Sequence, residues 1–101
     1  MVKIINRKKY NTETAELLAE WSNNLGCGNF RNVHEFLYRK RTGEYFLYGY
    51  GGPMSRFAES DGDGWTGGED IITFTEEDAR SWCEQHFDGD TYESIFGEVE
   101  E

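Results

Sequence analysis

An α+β fold, a small antiparallel β-sheet carrying one main C-terminal helix, is what the sequence predicts, and three observations predict it. Residues 31–41 and 44–50 are dense in aromatic and β-prone side chains and are separated by Thr42-Gly43, the pattern of a hairpin at the centre of a sheet. After Thr75 the residues Ala79, Trp82, Cys83, His86 and Phe87 recur at i, i+3, i+4, i+7 and i+8, which places them on one helical face. The 101 residues, 37% hydrophobic and 16% aromatic, suffice for one modest core built largely on Phe, Tyr and Trp. A single α+β domain over residues 1–101 is the expectation.

Taken in order, Val2–Ile5 and residues 8–10 predict a short hairpin turning at Asn6-Arg7. Residues 12–21 fit two periods, because Ala15, Leu18 and Ala19 mark a helix face whereas Ala15, Leu17, Ala19 and Trp21 alternate like a strand. The balance falls on a turn at residues 12–15 followed by a strand. Residues 22–29, with Asn23-Asn24, Gly26 and Gly28, read as a loop. The central hairpin, about residues 31–50, follows with a two-residue turn. Gly51-Gly52-Pro53 stops its second strand, and residues 54–58 are long enough for one helical turn. A glycine- and acid-rich segment, 59–70, then precedes a short strand at 71–74. Thr75 is placed to cap the main helix, about 76–87, with Glu76, Glu77 and Asp78 in its positive first turn. Gly89 ends it, and Asp90 with Glu93 resembles a capping box for a short helix of about 91–96, with Tyr92, Ile95 and Phe96 as its apolar stripe.

Charge is unevenly placed. Residues 1–58 hold nine lysines and arginines against five acids, whereas residues 59–101 hold fifteen acids and one base, Arg80, within an overall net charge of −10. A nucleic-acid contact through Arg7-Lys8-Lys9 or Arg39-Lys40-Arg41 is opposed by that net charge, and solvated turns account for both clusters. The N-terminus carries neither an extended apolar segment nor a small-residue cleavage site, and Cys27 and Cys83 lie far apart, so reduced thiols and a cytoplasmic setting are expected.

Chemical motifs are sparse. Cys83 and His86, three apart on the expected helix, would make half of a zinc site completed by Cys27 and His34, but both fall on an apolar stripe where Cys acts as a small hydrophobe and His as a core residue. No third group or oxyanion donor turns the same residues into a nucleophile pair. The segment from Glu59 to Asp70 spaces oxygen donors as a calcium loop does, yet begins on Glu, ends on Asp and lacks an entering helix, which leaves Ca²⁺ binding open. The sequence holds neither a phosphate-binding GxxxxGK[ST] loop nor a nucleophile elbow. No catalytic residue, cofactor or metal is assigned, and a non-enzymatic protein is expected.

The segments Thr12-Glu13-Thr14-Ala15-Glu16-Leu17, Leu37-Tyr38-Arg39, Gly43-Glu44-Tyr45-Phe46-Leu47, Tyr50-Gly51-Gly52-Pro53-Met54, Glu69-Asp70-Ile71-Ile72 and the ending Ile95-Phe96-Gly97-Glu98-Val99-Glu100-Glu101 give nearly the whole chain a resemblance. It resembles short proteins encoded by phages and conjugative elements of Gram-positive gut bacteria. Small acidic proteins of such elements are similar to anti-CRISPR and other anti-defence inhibitors, one recurrent strategy of which is to block a DNA-binding channel. The resemblance implies a bacterial host cytoplasm and a Cas effector as partner, and transfers no binding residue.

From the residues themselves, carboxylates held at fixed spacing can imitate a phosphate array against a basic protein surface. Glu59, Asp61, Asp63, Glu69, Asp70, Glu76, Glu77, Asp78, Asp88, Asp90 and Glu93 are the expected partner-binding set, with Trp65 and Tyr92 as aromatic anchors, in a protein expected to be monomeric and to touch neither nucleic acid nor membrane. The competing expectation is a mobile-element accessory module that binds another protein through an aromatic sheet face around Phe36, Tyr38, Tyr45 and Tyr48.

Overall fold

A computed structural model describes residues 1–26 and 28–100 and shows an α+β architecture. Cys27, named above for the zinc reading, and Glu101, the last residue of the acidic ending, lie outside the described residues. The strands are β1 (Val2–Ile5), β2 (Lys8–Asn11), β3 (Glu16–Ser22), β4 (Val33–Arg39), β5 (Tyr45–Gly51), β6 (Glu59–Ser60), β7 (Trp65–Thr66) and β8 (Gly68–Phe74), followed by helices α1 (Glu76–His86) and α2 (Gly89–Phe96). Four strands in the order β3-β4-β5-β8 make the main antiparallel sheet, and β1-β2 and β6-β7 are separate two-stranded pairs.

Alternation along the central strands divides their side chains between two faces. Leu37, Tyr45 and Leu47 point to the face covered by the helices, where they are buried with Ala79, Trp82 and Cys83, and Ile72, Phe74, Phe87, Ile95 and Phe96 close the layer. Tyr10, Phe46 and Ile71 are buried on the other face, where the β1-β2 hairpin lays Tyr10 edge-on against Phe46 at 5.6 Å between ring centres. The hairpin is tied down by Lys3 to Asp70 on the edge strand β8 and by Lys8 to Glu44, which also accepts from Lys40. Asn6 and Arg7 both adopt positive φ at its tight turn. It covers only one end of that face, and the other end stays open.

The helices form as their caps dictate. The Thr75 hydroxyl accepts from the Asp78 N–H at 3.0 Å while the Asp78 carboxylate accepts from the Thr75 N–H at 3.0 Å, a reciprocal capping box. The cap of α2 is Asp88 and not Asp90: its carboxylate accepts from the Thr91 N–H at 3.0 Å, so α2 begins at Gly89, two residues before the expected start.

Three local expectations are corrected. The β4-β5 connection is a three-residue loop, Arg41 to Gly43, closed by a Lys40 N–H to Glu44 carbonyl bond of 2.8 Å, because Gly43 takes φ +92° and accommodates the extra residue. Residues 54–58 form consecutive turns, with Ser55 bonded to the Gly52 carbonyl and Ala58 to the Ser55 carbonyl, and not a helical turn. Segment 59–70 is not one loop: it contains β6, β7 and the first three residues of β8, paired to Gly49, Tyr50 and Gly51.

Candidate protein-binding surfaces

The residues weighed for metal or nucleophilic chemistry are dispersed. Cys83 is fully buried beneath the sheet, and burial pushes its thiol up to about 11. His86 lies on the Trp21 ring at 4.0 Å, and loss of solvent lowers its pKa against the raising effect of Glu35. His34 belongs to the opposite face of the sheet, stacked on Tyr50 at 4.7 Å. Among the described residues, no group of three or more His, Cys, Asp or Glu side chains is arranged to hold a metal ion. An inert Cys83 has a direct readout: in a Cys27→Ser variant, thiol labelling at pH 8 is expected to run at least about a hundredfold slower than in denaturant, since a thiol of this kind holds almost no thiolate. Comparable rates would restore a reactive cysteine.

One buried polar cluster has no counterpart in the sequence reading. Glu35 on β4 is only 4% exposed and accepts from Trp82 Nε1 at 2.9 Å and from Arg56 Nε at 3.0 Å. It joins the sheet, α1 and the turn segment at 54–58, and both its oxygens are occupied. Of its three members only Arg56 is exposed, so its chemistry is that of a clasp.

The acids named from the sequence lie on several elements and on both sides of the sheet. Glu59, Asp61 and Asp63 are exposed on the β6-β7 hairpin, whose tip is held by an Asp61 carboxylate bond from the Gly64 N–H at 2.9 Å. Glu69 sits on the open face and accepts from the Tyr48 hydroxyl at 2.6 Å; burial, helped by this bond, pushes Tyr48 up to about 12. Asp70 pairs with Lys3 and Glu76 with Arg80. Asp78 completes the capping box of α1, Asp88 caps α2, and Glu93 accepts from the Val99 N–H at 2.9 Å. Glu77 and Asp90 are exposed on the helical side. The structure therefore brings Glu59 and Glu69 together beside Tyr48 and Tyr50, and separates them from the acids of α1 and α2.

Of the two expected anchors, Trp65 on β7 is 66% exposed next to the hairpin acids. Tyr92 is half-buried against Phe96 and accepts from Arg80 at 3.0 Å.

The aromatic sheet face also takes a definite form. Tyr45 belongs under the helices, so it leaves the expected set. Phe36, Tyr48, Tyr50 and His34 share the open end of the other face, with His34 and Tyr50 nearly parallel and Phe36 and Tyr50 6.0 Å apart at 19°. Tyr38 completes the row against Phe46 at 5.2 Å, under the edge of the β1-β2 hairpin. Pairing rows run Glu20, Phe36, Tyr48, Ile71 and Ser22, His34, Tyr50, Glu69, so each row carries one carboxylate. His34 and Tyr50 are further members that the sequence reading did not name, although their even spacing from Phe36 and Tyr48 assigns them to this face.

No helix among the described residues is long and apolar enough to cross a membrane. Comparison with protein-family models, with curated proteins and with solved structures gives no match for this chain.

Proposed function

We propose that this chain is a non-enzymatic anti-defence inhibitor of the anti-CRISPR kind, which binds a Lys/Arg-lined surface of a host Cas effector through its carboxylates. The observation that carries this reading is the β6-β7 hairpin. It presents Trp65, two-thirds exposed, on the same hairpin as Glu59, Asp61 and Asp63, none of which has a lysine or arginine ion-pair partner among the described residues. An indole left in water gains most when a partner desolvates it, whereas exposed ion pairs add little affinity and mainly steer the encounter. The overall charge of −10 and the resemblance to mobile-element proteins support the same partner class.

The test is binding of the intact protein to purified Cas effectors over a salt series. Affinity is expected to fall steeply from low to moderate salt, and Trp65→Ala to weaken binding about tenfold or more. Reversal of Glu59, Asp61 and Asp63 to lysine is expected to abolish it, with a smaller effect from reversing Glu76, Glu77 and Asp78. Affinity flat in salt, or unchanged by the hairpin reversals, would rule out the acidic contact.

The half-open row of Phe36, Tyr48, Tyr50 and His34 favours a second reading, an accessory module of a mobile element that binds a protein through the sheet face. In that case Tyr50→Ala would weaken partner binding and the hairpin reversals would not.

A further inference from the structure

The open face continues to the edge of the sheet. Strand β3 is the outermost strand and pairs, among the described residues, only with β4. Its first half is irregular, with the register shifting between Leu17 and Ala19, and Glu16 there is already paired with Arg39. A bulge and a charge are the usual devices that keep an edge from recruiting another strand. The second half, residues 19–22, lacks the bulge: Ala19, Glu20, Trp21 and Ser22 oppose Leu37, Phe36, Glu35 and His34 in continuous register.

Beside that half lies a pocket of about 380 Å³ lined by Glu20, Trp21, Ser22, His34, Phe36 and Tyr50. Tyr50 covers one face of the His34 ring, which leaves the other turned toward β3. Glu20 is exposed and has no ion-pair partner among the described residues. Ring faces next to an unpaired carboxylate and a hydroxyl suit a flat cation that both stacks and accepts an ion pair, which is the chemistry of a guanidinium.

We propose that residues 19–22 of β3 and the adjoining pocket accept an extended, arginine-bearing segment of a partner protein, the strand pairing along the edge and the arginine entering against Phe36, His34 and Glu20. This rests on the sheet-face reading and names its partner. The occupant follows from charge: Glu20 and Glu69 repel phosphate, which disfavours a nucleic acid stacking on the same rings, and a second copy of a chain with net charge −10 is repelled as well. Backbone pairing would supply affinity and the pocket selectivity.

The experiment is a backbone-amide NMR titration of the full chain with eight-residue peptides alternating threonine with arginine, lysine or valine, and with an eight-nucleotide oligothymidine. Shifts from the arginine peptide are expected on residues 19–22 and around Tyr50, with affinity about fivefold above the lysine peptide, and Glu20→Gln is expected to weaken it about fivefold while leaving the spectrum folded. If the valine peptide shifts the same amides and the arginine peptide does not, the sheet-face reading stands and the cationic partner is wrong. If no peptide moves them, both fall. Shifts confined to the β6-β7 hairpin would reduce the effect to general attraction by acids and overturn the proposal, as would oligothymidine displacing the arginine peptide.

Discussion

Replacing Trp82 by alanine is expected to destabilise the fold by about 4 kcal/mol or more, enough to leave a domain of this size barely folded at room temperature. The indole is 5% exposed and packs against Phe87 and His86, with ring centres 5.5 and 5.3 Å away, so its removal opens a cavity between α1 and the sheet. It also strips Glu35 of one of its two donors and leaves that oxygen buried without a partner. Trp82→Phe separates the two costs. It keeps most of the ring and removes only the N–H, and a loss of about 1–3 kcal/mol is expected from the unpaired carboxylate oxygen. Combining Trp82→Phe with Glu35→Leu is expected to cost less than the two single changes together, because both ends of the buried bond then disappear. Urea unfolding of the parent, the three single variants and the double variant measures this directly. An unfolding free energy for Trp82→Ala within about 1 kcal/mol of the parent would mean that the clasp does not hold α1 to the sheet.

The parts of this architecture legible in the sequence are those with a local physical signature. The capping box of α1 needs only Thr75 and Asp78, three residues apart, and the stripe of Ala79, Trp82 and Cys83 shows its buried face directly. The β4-β5 hairpin was legible because aromatic residues crowd both arms. Strand β3 was legible only on balance, as a strand after the turn at residues 12–15, because Leu18 is the extra residue of a bulge, which breaks the two-residue alternation and produces a helix-like spacing. The start of β8 hid because Gly68, Glu69 and Asp70 carry no apolar signal; they are strand residues only because Gly51, Tyr50 and Gly49 lie opposite. Asp88 lost the cap to Asp90 on paper because Gly89 reads as a stop, whereas it opens α2.

For the site, the limits were different. The exposure of Trp65 was legible, since a tryptophan among aspartates and glycines has little to pack against. Glu35 was not, because it sits 47 positions from Trp82 and reads locally as an ordinary strand acid. The division of the acids between the two sides of the sheet is set by the pairing of β8 with β5, a long-range fact that charge counting along the chain does not contain.

Gly49→Ala is expected to cost about 2–3 kcal/mol, the upper part of the range of overpacking in a well-filled core, although the residue is only one methyl larger. A Cβ at this position would lie 2.0 Å from Phe57 Cζ and within 2.7 Å of both ring carbons beside it. Phe57 is 5% exposed and lies across the glycine, so the ring must retreat into the sheet or lift the turn segment that carries it. Lifting that segment also draws Arg56 from Glu35, and the clasp loses its second donor. Gly89→Ala supplies the control, because a Cβ there meets nothing within 4 Å, and it is expected to be neutral or slightly stabilising. Gly49→Ala combined with Phe57→Leu should recover part of the loss if the ring clash is its cause, and recover nothing if the backbone at Gly49 is at fault. The face matters as much as the size. Gly49 faces the helix side between Tyr48 and Tyr50, whose rings point the other way, so in protein kept folded at low temperature the proposed binding of the arginine peptide at the aromatic row should survive. Loss of both together would show that the segment at 54–58 sets the spacing of the row through the strand itself.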